Sequence, residues 1–241
     1  MIKGQDHEYQ HGGTICQGYW SVDDAKSGKR PGILVAHEWG GLGDYVKKRC
    51  DMLAEMGYVA FAPDIFGKGI RASTFPDCER ISKPYYEDRQ LTRARAKAGL
   101  DLLVAHPLVD KSKIAAIGYC FGGIVVLELA RSGADVKATV AFHGQLSTPN
   151  PADAKNIKGS VLILHGAIDP VVPPEEIAAF QKEMEDAKVD WQMVYYAGAM
   201  HTFTNWNLPT NPPPGMPAAY NEKADKRSWK AMQDFFAETI A

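Results

Sequence analysis

Cys120 lies between two glycines in the stretch Gly118-Tyr119-Cys120-Phe121-Gly122, where one apolar run ends and another begins. The pattern Gly-x-nucleophile-x-Gly is typical of a sharp turn from a strand into a helix, with the central side chain exposed as a nucleophile. Glycines two positions before and after the nucleophile let the helix pass close to the strand. A helix that starts here also directs free N–H groups at the sulfur, which favours the thiolate. The spacing therefore predicts a nucleophilic cysteine.

Two polar residues downstream complete a possible catalytic triad. Asp169 follows the apolar run VLILHG, and His201 follows the run WQMVYY, so each is expected in a loop just after a strand. Nucleophile, acid and histidine in this chain order are the arrangement that a triad on an α/β sheet requires. His143 and His165 also end strands, but both come before Asp169, so we interpret them as structural residues or as lining of the site.

Each of these residues also has a simpler interpretation. Cys120 could be a small buried residue, or its glycines could belong to a phosphate-binding turn. Asp169 precedes a proline, as turn aspartates often do, and His201 alone could be an ordinary loop histidine. The triad is favoured because three independent placements coincide.

The elements that must position these residues alternate between apolar runs and amphipathic stretches. Strands are predicted at 33–37, 58–63, 113–118, 138–143, 161–166 and 191–196. Helices are predicted at 44–57, 85–105, 122–132, 174–187 and 218–240. All but the last strand are continuously apolar, which indicates a parallel sheet covered on both faces. The fold class is therefore α/β, a mostly parallel doubly wound sheet with helices on both faces and ligands at the carboxyl ends of the strands.

Length and composition narrow the class of protein further. The 241 residues fit a single domain over 1–241, and a formal charge of −2 with interspersed signs argues against nucleic acid as a partner. No apolar run approaches a membrane span, and no signal peptide is recognised, so we expect a cytoplasmic protein that does not bind membranes. The four cysteines form no CxxC pair, so neither a zinc site nor a disulfide framework is expected. The proline-rich stretch 208–217 predicts an ordered loop near the site.

The motifs resemble those of the dienelactone hydrolase family of α/β-hydrolases. The matching segments are GYCFGG at 118–123, GAIDP at 166–170 and GAMHTF at 198–203. The resemblance extends from HEWGG at 37–41 through APDIFG at 62–67 to the terminal helix. It implies the α/β-hydrolase fold and a small-molecule ester or lactone as substrate.

The same resemblance implies how the site works. Glu38 would lie within reach of the sulfur and accept the thiol proton when substrate arrives. The backbone N–H groups of Trp39 and Phe121 would form the oxyanion hole. Cys120 would form an acyl thioester that water cleaves, with His201 and Asp169 handling the protons, and no metal or organic cofactor is expected.

The same resemblance is the basis for predicting substrate-binding residues. Enzymes that open dienelactone use arginines to clamp the substrate carboxylate, one of them four residues after the catalytic histidine, where this chain has Asn205 followed by Trp206. A neutral amide cannot replace the guanidinium charge. The candidates for a second clamp residue are Arg80, Arg89 and Arg93. We expect Trp39, Tyr85, Phe121, Phe203 and Trp206 to give instead an aromatic pocket suited to less polar esters, and we place Arg89, Tyr85, Phe203, Asn205 and Trp206 in the substrate site.

Two other functions fit the same residues. An acyltransferase would pass the acyl group from the cysteine to an alcohol or thiol instead of water. A thiol sensor or binding protein would keep the fold without turnover. The natural substrate and the oligomeric state stay open at this stage.

Overall fold

An eight-stranded sheet forms the centre of the computed structural model, which describes residues 1–241. Its strands are β1 (Ile2–His11), β2 (Thr14–Asp23), β3 (Arg30–Ala36), β4 (Val59–Ala62), β5 (Val109–Tyr119), β6 (Ala138–Phe142), β7 (Ser160–Gly166) and β8 (Trp191–Tyr196). The spatial order is β1-β2-β4-β3-β5-β6-β7-β8, and all pairs from β4 to β8 are parallel. The predicted mostly parallel sheet is confirmed.

The two strands that the sequence did not reveal form an antiparallel hairpin at one edge. β1 pairs with β2 along its whole length, and β2 continues into the sheet through an antiparallel pairing with β4. Most of β1 is exposed or half-buried. Because an edge hairpin with one solvated face needs no continuous apolar run, its sequence lacks the signal on which the other strands were predicted.

Six helices cover the sheet: α1 (Asp44–Glu55), α2 (Phe75–Glu87), α3 (Arg89–Ala105), α4 (Phe121–Arg131), α5 (Pro174–Ala187) and α6 (Glu222–Thr239). α5 has the predicted bounds, and α1 and α4 lie within two residues of them. α6 begins at 222 instead of 218, because Asn221 accepts a hydrogen bond from the Ala224 N–H and caps the helix there.

The single helix predicted over 85–105 is wrong, because the structure has two helices in this region. Asp88 adopts an extended conformation, and its carboxylate accepts the Leu91 N–H at 3.0 Å, so it caps α3 and separates it from α2. α2 starts ten residues before the predicted bound, with Thr74 as its N-cap and Pro76 in the first turn. This additional helix, α2, forms one wall of the candidate active site.

The core consists of two apolar layers, one on each face of the sheet. One layer packs α1 and α6 against the sheet, with Val46 and Met232 among its fully buried residues. The other packs α3 and α4, with Leu100 and Val125, and α5 extends it through Phe180. Both faces are therefore covered, as the continuously apolar strands indicated. No helix combines the length and the apolar character that a bilayer crossing needs.

The strand order reverses direction between β3 and β5. From β3 the chain moves to β4 on one side and then returns to β5 on the other. Loops that leave neighbouring strands in opposite directions open a crevice at the carboxyl ends, where ligands of such sheets bind. Glu38 follows β3 and Cys120 follows β5, so both lie at this reversal point.

Helix α4 approaches strands β5 and β3 so closely that only glycine fits at two positions. A Cβ on Gly118 would lie 1.9 Å from the Gly122 carbonyl oxygen, and a Cβ on Gly122 would lie 2.3 Å from the Ala36 carbonyl oxygen. Both obstacles are backbone atoms of central elements, which cannot move without shifting the sheet or the helix.

We expect Gly118→Ala to lower the free energy of unfolding by about 3 kcal/mol or more, because the new methyl group overlaps backbone atoms. Urea denaturation followed by circular dichroism measures this effect. Gly43→Ala is the matched control, since a Cβ there meets nothing within 4 Å, and it should cost less than about 1 kcal/mol. Equal losses in the two variants would contradict the steric explanation.

Candidate active site

Cys120 occupies the single residue between β5 and α4, in a strained backbone conformation. Its φ of 54° and ψ of −115° lie outside the region that non-glycine residues favour. Its N–H donates to the Phe142 carbonyl oxygen at 3.1 Å, which fixes the turn to the next strand. The side chain is 8% exposed, so the sulfur is largely shielded but reachable.

The three residues of the predicted triad converge at the carboxyl ends of β5, β7 and β8. His201 Nε2 lies 3.2 Å from Cys120 Sγ, and His201 Nδ1 lies 2.8 Å from Asp169 Oδ2. The second Asp169 oxygen accepts the Val171 N–H at 2.8 Å, so the carboxylate is held from both sides. The imidazole can therefore exchange a proton with the sulfur while the aspartate orients it.

The environment of His201 favours its protonated form. Burial by itself lowers the pKa of this imidazole, but the neighbouring Cys120 sulfur and the Asp169 carboxylate outweigh burial and raise the pKa to about 10. An imidazolium at neutral pH is the proper partner for a sulfur anion.

Glu38 lies directly after β3, and its carboxylate is bound to Asn205, so the proton transfer to Glu38 that the resemblance implies stays a prediction. Its Oε2 accepts a hydrogen bond from Asn205 Nδ2 at 2.9 Å, and no hydrogen bond joins it to Cys120. Burial raises the pKa of Glu38 to about 7, partly opposed by the Asn205 amide and the His201 charge. A carboxyl with this pKa can both accept and release a proton near neutral pH.

The two backbone N–H groups that are expected to form the oxyanion hole are free of hydrogen-bond partners. Trp39 follows Glu38 in the turn, and its N–H has no acceptor within the protein. Phe121 is the first residue of α4, where N–H groups have no partner inside the helix. Both flank the residues that carry the candidate chemistry.

His143, interpreted from the sequence as structural or site-lining, forms a hydrogen bond with the backbone of Cys120. Its Nδ1 accepts the Cys120 N–H at 3.2 Å, and its Nε2 lies 2.7 Å from Thr204 Oγ1. Burial and the neighbouring His201 charge hold the pKa of His143 well below its usual range, so the ring is neutral. Nδ1 is then the acceptor and Nε2 the donor. The spacing of Cys120 and His143 along the sequence gives no indication of this hydrogen bond.

The chain of hydrogen bonds continues from Thr204 into the protein interior. Tyr45 Oη lies 2.5 Å from Thr204 Oγ1, and Arg49 Nε donates to Tyr45 Oη at 3.3 Å. The buried Arg49 guanidinium forms an ion pair with Asp225 on α6. The Cys120 backbone is thereby connected to two helices on the opposite face of the sheet from α4.

A cavity of about 570 Å³ opens above the sulfur and the imidazole. Its aromatic wall consists of Trp39, Phe75 and Tyr86, two of them from α2, the helix that the sequence analysis placed incorrectly. The remaining lining residues are Glu79, Ser82, Lys83, Glu87, Cys120, Gln145, Val171, His201, Thr202, Pro217 and Ala218. Pro217 belongs to the proline-rich loop, whose predicted position near the site is confirmed.

Most side chains predicted to bind substrate lie outside this cavity. Phe203 is fully buried in the core, and Tyr85 is buried with its hydroxyl donating to the Phe66 carbonyl oxygen at 3.2 Å. Trp206 covers the Arg49 guanidinium, 4.5 Å from its ring centre. The expected placement of these three rings in the substrate site is therefore wrong: Phe203 and Tyr85 pack in the core, and Trp206, although 37% exposed, stacks on a buried cation and does not line the cavity.

Neither Asn205 nor the three candidate arginines line the cavity either. Asn205 is bound to Glu38, so it positions that carboxylate instead of lining the cavity. Arg89 lies against the Tyr86 ring at 5.5 Å and donates to the Tyr85 carbonyl oxygen at 3.4 Å. Arg80 pairs with Asp77, and Arg93 pairs with Glu128 and Asp153. The expected placement of Arg89 in the substrate site is thus also corrected.

No group of three or more His, Cys, Asp or Glu side chains in the structure is arranged to hold a metal ion. The polar groups around the sulfur instead form pairs: His201 with Asp169, and Glu38 with Asn205. These residues can transfer protons and stabilise charge by themselves.

Comparisons with known proteins give a consistent result over the whole chain. The model of the dienelactone hydrolase family matches residues 17–240. The chain is 31% identical to the protein usf of Aquifex pyrophilus over 207 residues, 84% of this chain and 87% of the relative. Among solved structures it is similar to a dienelactone hydrolase-like promiscuous phosphotriesterase from metagenomic libraries, with 42% identity and a TM-score of 0.94 over 100% of this chain and 99% of the other. A structure titled m3DLH is similar at 40% identity, with a TM-score of 0.94 and the same coverage.

The raised pKa of Glu38 leads to a prediction about how the free energy of unfolding depends on pH. A carboxyl whose pKa is about 7 in the folded protein and about 4.3 in the unfolded chain destabilises the fold progressively as pH rises through that window, because the unfolded chain can ionise there whereas the folded state would have to bury a charge. Glu38→Gln keeps an oxygen acceptor for Asn205 without the charge.

We therefore expect the stability of Glu38→Gln relative to wild type to increase between pH 5 and pH 8, by about 1–3 kcal/mol. Denaturant unfolding of both proteins across this range measures the difference between their free energies of unfolding. The contributions of the neutral buried histidines, which have the opposite pH dependence, are the same in both proteins and cancel in this difference. A difference that is constant with pH would show that Glu38 titrates normally.

Proposed function

This chain belongs to the dienelactone hydrolase family, hydrolases that act on ester and lactone bonds, and on that premise we propose that Cys120 attacks the substrate carbonyl as a thiolate and forms an acyl thioester. The proposal assigns His201 as the acid and base, Asp169 as its orienting group, and a small-molecule ester or lactone as the substrate. It requires no cofactor.

The observation that supports this proposal is the unbroken contact from sulfur to carboxylate. Cys120 Sγ lies 3.2 Å from His201 Nε2, and His201 Nδ1 lies 2.8 Å from Asp169 Oδ2. Sulfur and imidazole both line the cavity, whereas Asp169 lies behind the ring with a fully buried side chain. A reactive pair that faces a cavity, with its orienting group shielded from water, is what acyl transfer requires.

In the first half of the reaction, the Cys120 proton resides on His201 and the sulfur bonds to the carbonyl carbon. The carbonyl oxygen gains the negative charge, which the N–H groups of Trp39 and Phe121 stabilise by hydrogen bonds. His201 then gives its proton to the departing alkoxide, which leaves as an alcohol, and the acyl group remains on the sulfur as a thioester.

In the second half, water replaces the alcohol. His201 takes a proton from the water as its oxygen attacks the thioester carbonyl, and the acid leaves as the carbon–sulfur bond breaks. Glu38 is a second proton acceptor in this scheme. Its pKa of about 7 suits the task, but the carboxylate must first release Asn205 to reach the sulfur.

We expect Cys120→Ala to reduce kcat/KM for 4-nitrophenyl acetate at least about 10³-fold, because the covalent step is lost. His201→Ala should cost about as much, since the two residues act as a unit. Release of 4-nitrophenolate measures turnover, and Cys50→Ala, a buried cysteine outside the cavity, is the matched control with normal kinetics.

Intact-protein mass spectrometry during turnover separates this hydrolase from the alternatives. A hydrolase shows a transient acetyl adduct on Cys120 and free acetate as the only final product of the acyl group, alongside 4-nitrophenolate. An ester of an added alcohol would instead indicate an acyltransferase, and an adduct that never clears would indicate a thiol sensor. Full activity in Cys120→Ala would refute the cysteine mechanism.

Hydrolysis of phosphotriesters is a second candidate function. The similar structure at 42% identity is named as a promiscuous phosphotriesterase, and the cavity above the sulfur has aromatic walls and no arginine. A neutral triester needs no cationic clamp, and the same sulfur can displace an aryloxide from phosphorus. Water would then cleave the sulfur–phosphorus bond.

We expect slow release of 4-nitrophenolate from diethyl 4-nitrophenyl phosphate, with a diethylphosphoryl adduct on Cys120 detectable by mass spectrometry. Cys120→Ala should abolish both signals, because ester and triester hydrolysis share the nucleophile. Release that persists in Cys120→Ala would place any such activity elsewhere on the protein.

A further inference from the structure

Three charged side chains of α2 line the cavity: Glu79, Lys83 and Glu87. Lys83 Nζ lies 3.6 Å from Glu87 Oε1, so these two charges compensate each other. The Glu79 carboxylate forms neither an ion pair nor a side-chain hydrogen bond, and the residue is exposed at the cavity wall. The wall therefore has one uncompensated negative charge.

The aromatic part of the same wall adds no positive charge. The Trp39 and Phe75 rings meet edge to face, with centroids 4.9 Å apart, and Tyr86 lies further along α2. Ring faces attract cations, and none of these three side chains carries a charge that could pair with a carboxylate. Glu79 is therefore the unpaired charge on this part of the wall.

The arginines of this region do not offset that charge. Arg80 is exposed on α2 and pairs with Asp77 at 3.0 Å, and Arg93 is held by Glu128 and Asp153. Arg89 stays beneath the Tyr86 ring. Apart from His201, whose charge the Asp169 carboxylate already offsets, Lys83 is the one cation on the cavity wall, and Glu87 already neutralises it.

We propose that Glu79 sets the charge preference of this site, so that esters with an uncharged or cationic acyl chain react faster than esters with a carboxylate at the same place. This specificity rests on the ester hydrolysis proposed above and adds the substrate class to it. Because the wall is in contact with water, the Coulomb energy is screened, and we expect discrimination of about three- to tenfold at low salt.

Three 4-nitrophenyl esters of equal chain length test the proposal. They are the hexanoate, the 6-(trimethylammonio)hexanoate and the mono-ester of adipic acid, whose acyl chains are neutral, cationic and anionic. At low ionic strength, kcat/KM should be lowest for the adipate, and the gap should shrink at 1 M salt. An adipate that matches or exceeds the hexanoate would overturn the proposal.

Variants of Glu79 assign the effect to this residue. Glu79→Gln should reduce the discrimination, and Glu79→Lys should raise the adipate-to-hexanoate ratio about tenfold or more above wild type. Glu238→Lys, on the exposed end of α6, changes the net charge equally and should leave the ratio unchanged. The same ratio in Glu79→Lys and wild type would refute the assignment.

Alkylation of Cys120 tests the charge preference without any turnover. Iodoacetate and iodoacetamide differ by one negative charge and enter the same cavity, and mass spectrometry gives their rates on Cys120. The iodoacetate-to-iodoacetamide ratio should rise in Glu79→Lys and stay constant in Glu238→Lys. If the esters are not hydrolysed but this ratio shifts, the proposed function fails and the charge preference stands; an unshifted ratio removes the preference alone.

Discussion

The chemistry of the site depends on how closely helix α4 approaches strand β5. The chain passes from one to the other through a single residue, Gly118 has no side chain to block the approach, and Gly122 has none to collide with the end of β3. This closeness places the first turn of α4 beside the sulfur and forces Cys120 into a φ of 54°. The strain is compensated by the packing of a fully buried helix in the middle of the molecule.

Burial then gives the polar groups of the site their different protonation states. Glu38 and His143 are both shielded from water, and each shifts toward its neutral form. His201 is equally shielded but shifts the other way, because the Cys120 sulfur and the Asp169 carboxylate contact its two nitrogens. One low-dielectric environment therefore holds a neutral His143, a protonated His201 and a carboxyl that titrates near neutral pH.

Two nearly separate parts of the structure form the candidate site. Cys120, Asp169 and His201 follow strands at one end of the sheet, and hydrogen bonds through His143 and Thr204 connect Cys120 to the interior. The cavity wall comes largely from α2, a surface helix outside the sheet, with Phe75, Glu79 and Tyr86 facing the opening. Substitutions on α2 can change the accepted substrate while the sulfur and its partners keep their geometry.

The sequence by itself determined the parallel strands, most helices and the identity and chain order of Cys120, Asp169 and His201. These follow from local properties: continuous apolar runs, glycine spacing and turn residues at strand ends. Only the tertiary structure decided that Glu38 binds Asn205, that His143 accepts the Cys120 N–H, and that Phe203 and Trp206 lie outside the cavity. Such contacts join segments far apart in the chain, and they depend on strand register and helix packing, which no local pattern records. The edge hairpin and the boundary at Asp88 escaped prediction for a related reason, since a half-solvated strand and a capping aspartate inside a helical pattern leave weak periodic signals.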